Sequence, residues 1–195
     1  MVEKIGRTDE NEQSPISALV VGAGIGGIKA SLDLAESGFN VYLMDESPFI
    51  GGTLSKLDCQ FPTNDCGMCK MLPSFGSEFC SELCLRRGLD HPNMNIITNT
   101  ELKGLEGEVG KFKVLVTKNA RLVDPKRCIA CNLCVDICPI EVEHEFNQKL
   151  SKRKAIYIQH LSAIPTVYTL DSVNCNKCGE CVKVCPTRAI DLSME

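Results

Sequence analysis

The sequence predicts two units of different class: an α/β segment that opens on a parallel sheet, followed by a small α+β domain organised around clustered cysteines. Three observations predict this. Residues 16–47 read strand, glycine turn, helix, strand. Thirteen of the 195 residues are cysteine, an odd number that disulfide pairing alone would leave with one spare thiol. Cys128, Cys131, Cys134, Cys138 and Pro139 recur as Cys175, Cys178, Cys181, Cys185 and Pro186, each offset being 47 residues.

Residues 1–15 are polar and are expected to form a flexible N-terminus, with no basic and apolar leader of the secretory kind. No stretch approaches the ~20 apolar residues of a membrane-spanning helix. A cytoplasmic, reducing setting is therefore expected, where cysteines serve metal more often than disulfides. The 21 Lys and Arg against 25 Asp and Glu give a net charge of −4, which argues against a nucleic-acid binder working by bulk charge.

The first segment, 16–123, begins with an apolar run, Ile16–Val21, expected as a buried strand. Ile28, Leu32, Leu34 and Ala35 follow at helical spacing, with Ser31, Asp33 and Glu36 on the opposite face, and Gly38 closes that helix. Val41–Asp45 is the second strand. Residues 48–75 are irregular, a cysteine-rich insertion spans 59–84, and Ser77–Gly88 reads as a helix. Asn95–Thr98 reads as a strand, and Glu101–Leu105 with Phe112–Thr117 as a hairpin around residues 106–110. The second segment, 124–195, contains the repeat, with an insert at 141–170.

The doubled CxxCxxCxxxCP is the strongest signal. Three thiolates at this spacing hold three corners of a cubane cluster, while the cysteine before proline reaches the other cluster. One 4Fe–4S cluster then takes Cys128, Cys131, Cys134 and Cys185, and the other takes Cys175, Cys178, Cys181 and Cys138. Zinc also uses paired CxxC groups, but gives no reason for the third step, the proline or the doubling. The pattern resembles the bacterial two-cluster ferredoxins, from which it departs in carrying Asn132 where the second copy has Gly179, and in its long insert. In that insert the basic run Lys149–Lys154 reads as a solvated loop near the clusters.

Gly22, Gly24 and Gly27 form GxGxxG between a strand and a helix, the context in which a Rossmann-like turn receives a pyrophosphate. Gly26 lies in the same turn. Asp45, 18 residues beyond Gly27 at the end of the second strand, is placed for a ribose hydroxyl, and Glu46 is the neighbouring acid on the opposite face. The motif does not separate FAD from NAD. A third group comprises Cys66, Cys69, Cys80 and Cys84, with Cys59 as substitute or bystander. It suits a further 4Fe–4S cluster, a structural zinc, a redox-active thiol pair or uncoordinated thiols. His91, His144 and His160 show no ligand spacing, and no hydrolase or kinase motif is present.

Residues 22–52 (GAGIGGIKASLDLAESGFNVYLMDESPFIGG) resemble the opening of flavoprotein oxidoreductases, in which the acidic strand end is followed by a Gly-Gly such as Gly51-Gly52. With Phe61–Cys69 (FPTNDCGMC), Lys152–Tyr157 (KRKAIY) and the inserted ferredoxin, the chain is similar to the HdrA family of heterodisulfide reductase iron–sulfur flavoproteins over about residues 16–192. The resemblance implies an FAD-binding half domain joined to a 2×4Fe–4S ferredoxin domain. It implies an electron-transferring subunit working with other iron–sulfur subunits and, often, a hydrogenase or formate dehydrogenase. Family members continue beyond the ferredoxin, and this sequence lacks the Ala-Thr-Gly and Gly-Asp strand ends that close over a flavin. The expectations are a site completed by a partner chain, a fragment of a longer flavoprotein, or a relay subunit whose Rossmann half binds no flavin.

Overall fold

The computed structural model describes residues 16–57, 89, 91–160 and 163–194. Two compact units divide between Asn119 and Ala120. Leu122 and Val123, assigned by sequence to the first segment, pack in the core of the second.

In the first unit, β1 (Ser17–Val21) leads through the glycine turn into α1 (Ile25–Glu36) and then β2 (Asn40–Met44). β1 and β2 pair in parallel, Ala18 opposite Val41 and Val20 opposite Leu43. Parallel neighbours cannot be joined by a tight turn, so α1 makes the crossover. After α2 (Gly52–Lys56), strand β3 (Met94–Ile97) pairs in parallel on the far side of β2, giving the order β1-β2-β3.

The buried stripe of α1 is Ile28, Ser31, Leu32 and Ala35. Steps of three and four residues keep one helix face on the sheet, and burying Ile28 and Leu32 contributes about 1.5–3 kcal/mol each. Ser31, expected on the solvent face, is fully buried. It stands three residues after Ile28, inside the stripe, so geometry overrides its polarity. β1 also departs from expectation: its residues alternate between exposed and half-buried, with Val21 55% exposed. Among the described residues β2, not β1, is the strand flanked on both sides.

β4 (Thr100–Glu108) and β5 (Lys111–Lys118) form an antiparallel hairpin. The strands are longer than the sequence suggests. They run through Gly107, leaving Val109 and Gly110 as the turn. The short helix α2 lies where an irregular segment is expected. The expected helix over residues 77–88 and the cysteine-rich insertion fall outside the described residues.

The second unit carries α3 (Leu133–Ile137), β6 (Glu141–Glu143), a 3-10 turn (Glu145–Asn147), β7 (Lys152–Lys154), β8 (Ile156–Tyr157), β9 (Thr169–Leu170) and α4 (Glu180–Val184). β6 pairs with β7 and β8 with β9, all antiparallel, and Val123 bridges Ile190. Val123, ahead of the first motif, thus bridges Ile190 beyond the second, and Leu170, ahead of the second, pairs with Ile156 beyond the first. Val123, Ile156, Leu170, Ala189 and Ile190 form the core between the two motifs.

The basic run is a solvated turn only in its first half, residues 149–151. Lys152–Lys154 is strand β7, and register with β6 sets its cations beside acids: Lys154 and Lys152 by Glu141, Lys149 by Glu143. Arg153 lies with its guanidinium carbon 4.1 Å from the centre of the Tyr157 ring.

Candidate cofactor and metal sites

Each cysteine motif begins with an aspartate turn. The Asp124 carbonyl accepts the Cys128 N–H at 3.0 Å, and its carboxylate accepts the Lys126 N–H at 2.8 Å. Asp171, 47 residues on, does the same for Cys175 at 3.0 Å, and its carboxylate takes the Val173 and Asn174 N–H groups. Both turns aim the first ligand of their motif. The repeat is thus longer than the cysteines alone suggest, and the matched aspartates are the signal in the sequence that marks its start.

Between the cysteines the backbone curls through left-handed residues at matched places, Ala130 with Lys177 and Asn132 with Gly179. Asn132 (φ 71°) takes the conformation that Gly179 (φ 81°) takes without a steric penalty. It is held there by two hydrogen bonds: its amide donates to Asp136 and its carbonyl accepts the Tyr168 hydroxyl, each at 2.8 Å. The backbone carbonyls of Asn132 and Gly179 then start α3 and α4, which carry Cys134 and Cys181 inward.

The two motifs line two small cavities. Cys128, Cys131, Cys134 and Cys185 line one, with Tyr168 and Thr187. Cys138, Cys175, Cys178 and Cys181 line the other, with Ile140 and Leu192. The last cysteine of each motif faces the cavity of the other. All eight are free thiols.

Burial, and then the neighbouring Cys128 and Cys131 sulfurs, push the Cys134 thiol up to about 12. Cys181 is raised likewise by burial and by Cys175, Cys138 and Cys178. Four sulfurs lining one half-buried cavity become stable thiolates only around positive metal. Soft thiolate donors of this number suit an iron–sulfur cluster, so the residues fit the group. For Cys185, burial acts upward but is outweighed by hydrogen bonds from Thr187 and from the Ala189, Thr187 and Ile190 N–H groups.

In the first unit, Gly24 caps α1 with no side chain, so the N–H groups of its first turn are open to an anion. A Cβ at Gly24 or Gly26 would meet nothing within 4 Å, whereas one at Gly27 would fall 1.8 Å from the Gly22 carbonyl oxygen. Space for a pyrophosphate and tight helix–strand packing are thus supplied by different glycines of the same turn. Gly51 donates to the Ala23 carbonyl at 2.6 Å, and a Cβ at Gly52 would come within 3.3 Å of the Gly24 Cα. The Gly-Gly step therefore lies against the phosphate turn. Asp45 accepts the Ala23 N–H at 2.5 Å and the Ser47 N–H at 2.8 Å. The acid expected at the ribose also latches the turn, and Glu46 beside it is exposed. These residues fit a dinucleotide. Cys59, Cys66, Cys69, Cys80 and Cys84 lie outside the described residues.

Comparison with known proteins joins the two halves. Residues 18–127 match the family model of FAD dependent oxidoreductases, and residues 127–189 that of 4Fe-4S dicluster domains. The chain is 40% identical over 193 residues to the HdrA iron-sulfur subunit of CoB--CoM heterodisulfide reductase from Methanocaldococcus jannaschii, covering 97% of this chain and 28% of that protein. It is 41% identical to an HdrA-like heterodisulfide reductase protein of Archaeoglobus profundus, covering 89% of this chain and 26% of that one. It is 42% identical to the HdrA subunit of the H(2)/formate:CoB-CoM heterodisulfide,ferredoxin reductase of Methanococcus maripaludis, over 80% of this chain and 22% of that one. The chain spans about a quarter of the length of these relatives.

Proposed function

The chain belongs to the FAD dependent oxidoreductases, in the HdrA family of heterodisulfide reductase, and on that premise we propose that it relays electrons between a flavin and two 4Fe–4S clusters within a larger redox complex. Cubane clusters pass electrons singly and a flavin handles them in pairs. The observation that carries the reading is the grouping of eight cysteines into two cavities, four to each, on the same chain as a glycine turn that fits a dinucleotide.

Cys128, Cys131, Cys134 and Cys185 hold one cluster, and Cys138, Cys175, Cys178 and Cys181 the other. The turn of Gly22, Gly24, Gly26 and Gly27 and the step Gly51-Gly52 seat the pyrophosphate of FAD, while Asp45, with Glu46 beside it, faces the ribose. The protein's own contribution is to space and bury the clusters and to donate hydrogen bonds to their sulfurs. No residue of this chain is assigned an acid–base role.

Among the described residues no helix is long and apolar enough to cross a membrane. The cytoplasm is the proposed setting because eight clustered free thiols suit a reducing compartment. Names of relatives include H(2) and formate beside the heterodisulfide. The partners proposed for this chain are accordingly other iron–sulfur subunits and a hydrogenase or formate dehydrogenase module.

Anaerobic purification with acid release of flavin and iron analysis tests the reading. Stoichiometric FAD and about eight irons per chain are expected, at four per cubane. About twelve irons assigns a third cluster to the cysteines at 59–84. An iron-free, colourless chain overturns the proposal.

A further inference from the structure

The two clusters sit in cavities related by the 47-residue repeat, so each difference between matched positions is an internal control. Exposure does not distinguish them. Cys128 and Cys175 are half-buried, Cys131 and Cys178 exposed, Cys134 and Cys181 buried, Cys185 and Cys138 half-buried. Hydrogen bonding at the last ligand does. The Cys185 sulfur receives the Ala189 N–H at 3.3 Å and faces the Thr187 hydroxyl at 3.6 Å. A sulfur bound to iron has no proton to give, so there the hydroxyl donates.

At the matched place Thr187 is replaced by Ile140. The Cys138 sulfur faces the Ile140 carbonyl oxygen at 3.8 Å, and that carbonyl is fixed by the Ala155 N–H at 3.1 Å. One sulfur therefore meets a hydroxyl and backbone N–H donors, and its counterpart meets the negative end of a dipole. The second cavity has donors elsewhere, the Lys177 N–H on Cys175 at 3.3 Å and the Val182 N–H on Cys181. Neither lies at the last ligand and neither is a side chain, so the imbalance at Cys185 and Cys138 stands.

Donors to cluster sulfurs stabilise the more negative, reduced state and raise the potential, and a facing carbonyl does the reverse. We propose that the two clusters are held at different potentials, with the one ligated by Cys185 the higher, and that Thr187 is the side chain that sets the difference. An electron entering the ferredoxin unit then settles on the cluster of Cys128, Cys131, Cys134 and Cys185, which gives the relay a direction. This rests on the reading that both cavities hold 4Fe–4S clusters.

The test is a redox titration of the anaerobic holoprotein followed by paramagnetic resonance, comparing wild type with Thr187→Val, Thr187→Ser and Ile140→Thr. Thr187→Val is expected to lower one transition by about tenfold in the reduced-to-oxidised ratio, which is about 59 mV for one electron. Thr187→Ser, which keeps the hydroxyl, leaves it within a fraction of that. Ile140→Thr raises a different transition, one lying lower in the wild type. If Thr187→Val moves no transition, or moves the same one as Ile140→Thr, or moves the lower one, the inference is overturned while the clusters stand. If the wild type holds no iron and gives no signal, the underlying reading falls instead.

Discussion

Arg153 and Asp171 form an ion pair at 3.0 Å, with both side chains nearly buried, at 11% and 12% exposed. The arginine comes from the inserted hairpin and the aspartate from the turn that aims Cys175, so the insert is fastened to the mouth of a cluster motif. Glu145 closes the group at 2.7 Å from the same guanidinium nitrogen.

Removing the cation takes the charged partner from a nearly buried carboxylate that keeps its bonds from Val173 and Asn174. Arg153→Ala is expected to destabilise the second unit by about 1.5–3 kcal/mol, the usual worth of a hydrogen bond to a charged group. Arg153→Lys recovers only part of this, since one ammonium cannot replace the guanidinium fork between two acids. Denaturant titration of the holoprotein, followed at the cluster absorbance, measures both.

The same group sets a pH dependence. For Asp171, burial acts to raise the carboxyl, but hydrogen bonds from Asn174 and Arg153 outweigh it and hold it below its ordinary 3.8. Glu145 is held below 4.5 chiefly by its hydrogen bond from Arg153, though as a mostly exposed group it adds little. A depressed carboxyl contributes stability that is present above its unfolded pKa and lost as pH falls through the folded one. Stability from this group should therefore hold between about pH 7 and 5 and fall below about pH 4. Asp171→Asn is expected to be weaker at neutral pH and flatter in acid, as acid unfolding curves of the two proteins will show.

The crossing of ligands predicts which substitutions share a phenotype. Cys185→Ser should remove the same resonance signal as Cys134→Ser, and Cys138→Ser the same signal as Cys181→Ser. If signals instead pair Cys138 with Cys134, the crossing is wrong.

Gly27→Ala places a methyl 1.8 Å from the Gly22 carbonyl oxygen, which the backbone cannot relieve without separating α1 from β1. A loss of about 1–3 kcal/mol, typical of overpacking, and release of flavin on gel filtration are expected. The cluster spectrum should be unchanged.

Asn132 tests the left-handed turn. Asn132→Gly keeps the backbone and loses the bonds to Asp136 and Tyr168, for a cost of about 1 kcal/mol. Asn132→Val adds a branched side chain at positive φ and should cost more, by about 1–2 kcal/mol. Thermal melts of the holoprotein give the order.

The strand–helix–strand opening is legible in the sequence because apolar spacing and glycines act locally. Ser31 goes against its polarity because its position in the stripe of α1 decides its burial. The cation pairing of Lys149–Lys154 depends on the register of β6 against β7, and Arg153 with Asp171 on chain folding across 18 residues; neither leaves a local trace. The Asp124 and Asp171 turns are within reach of the sequence, since they obey the same offset as the cysteines.

Because the last thiol of each motif serves the other cavity, metal closes two long loops at once, Cys128 to Cys185 and Cys138 to Cys175. Each closure removes chain entropy from the unfolded ensemble, as a cross-link does. Iron is then a clasp for the whole unit, and a chelator that strips either cluster should release residues 120–194 in a single cooperative step.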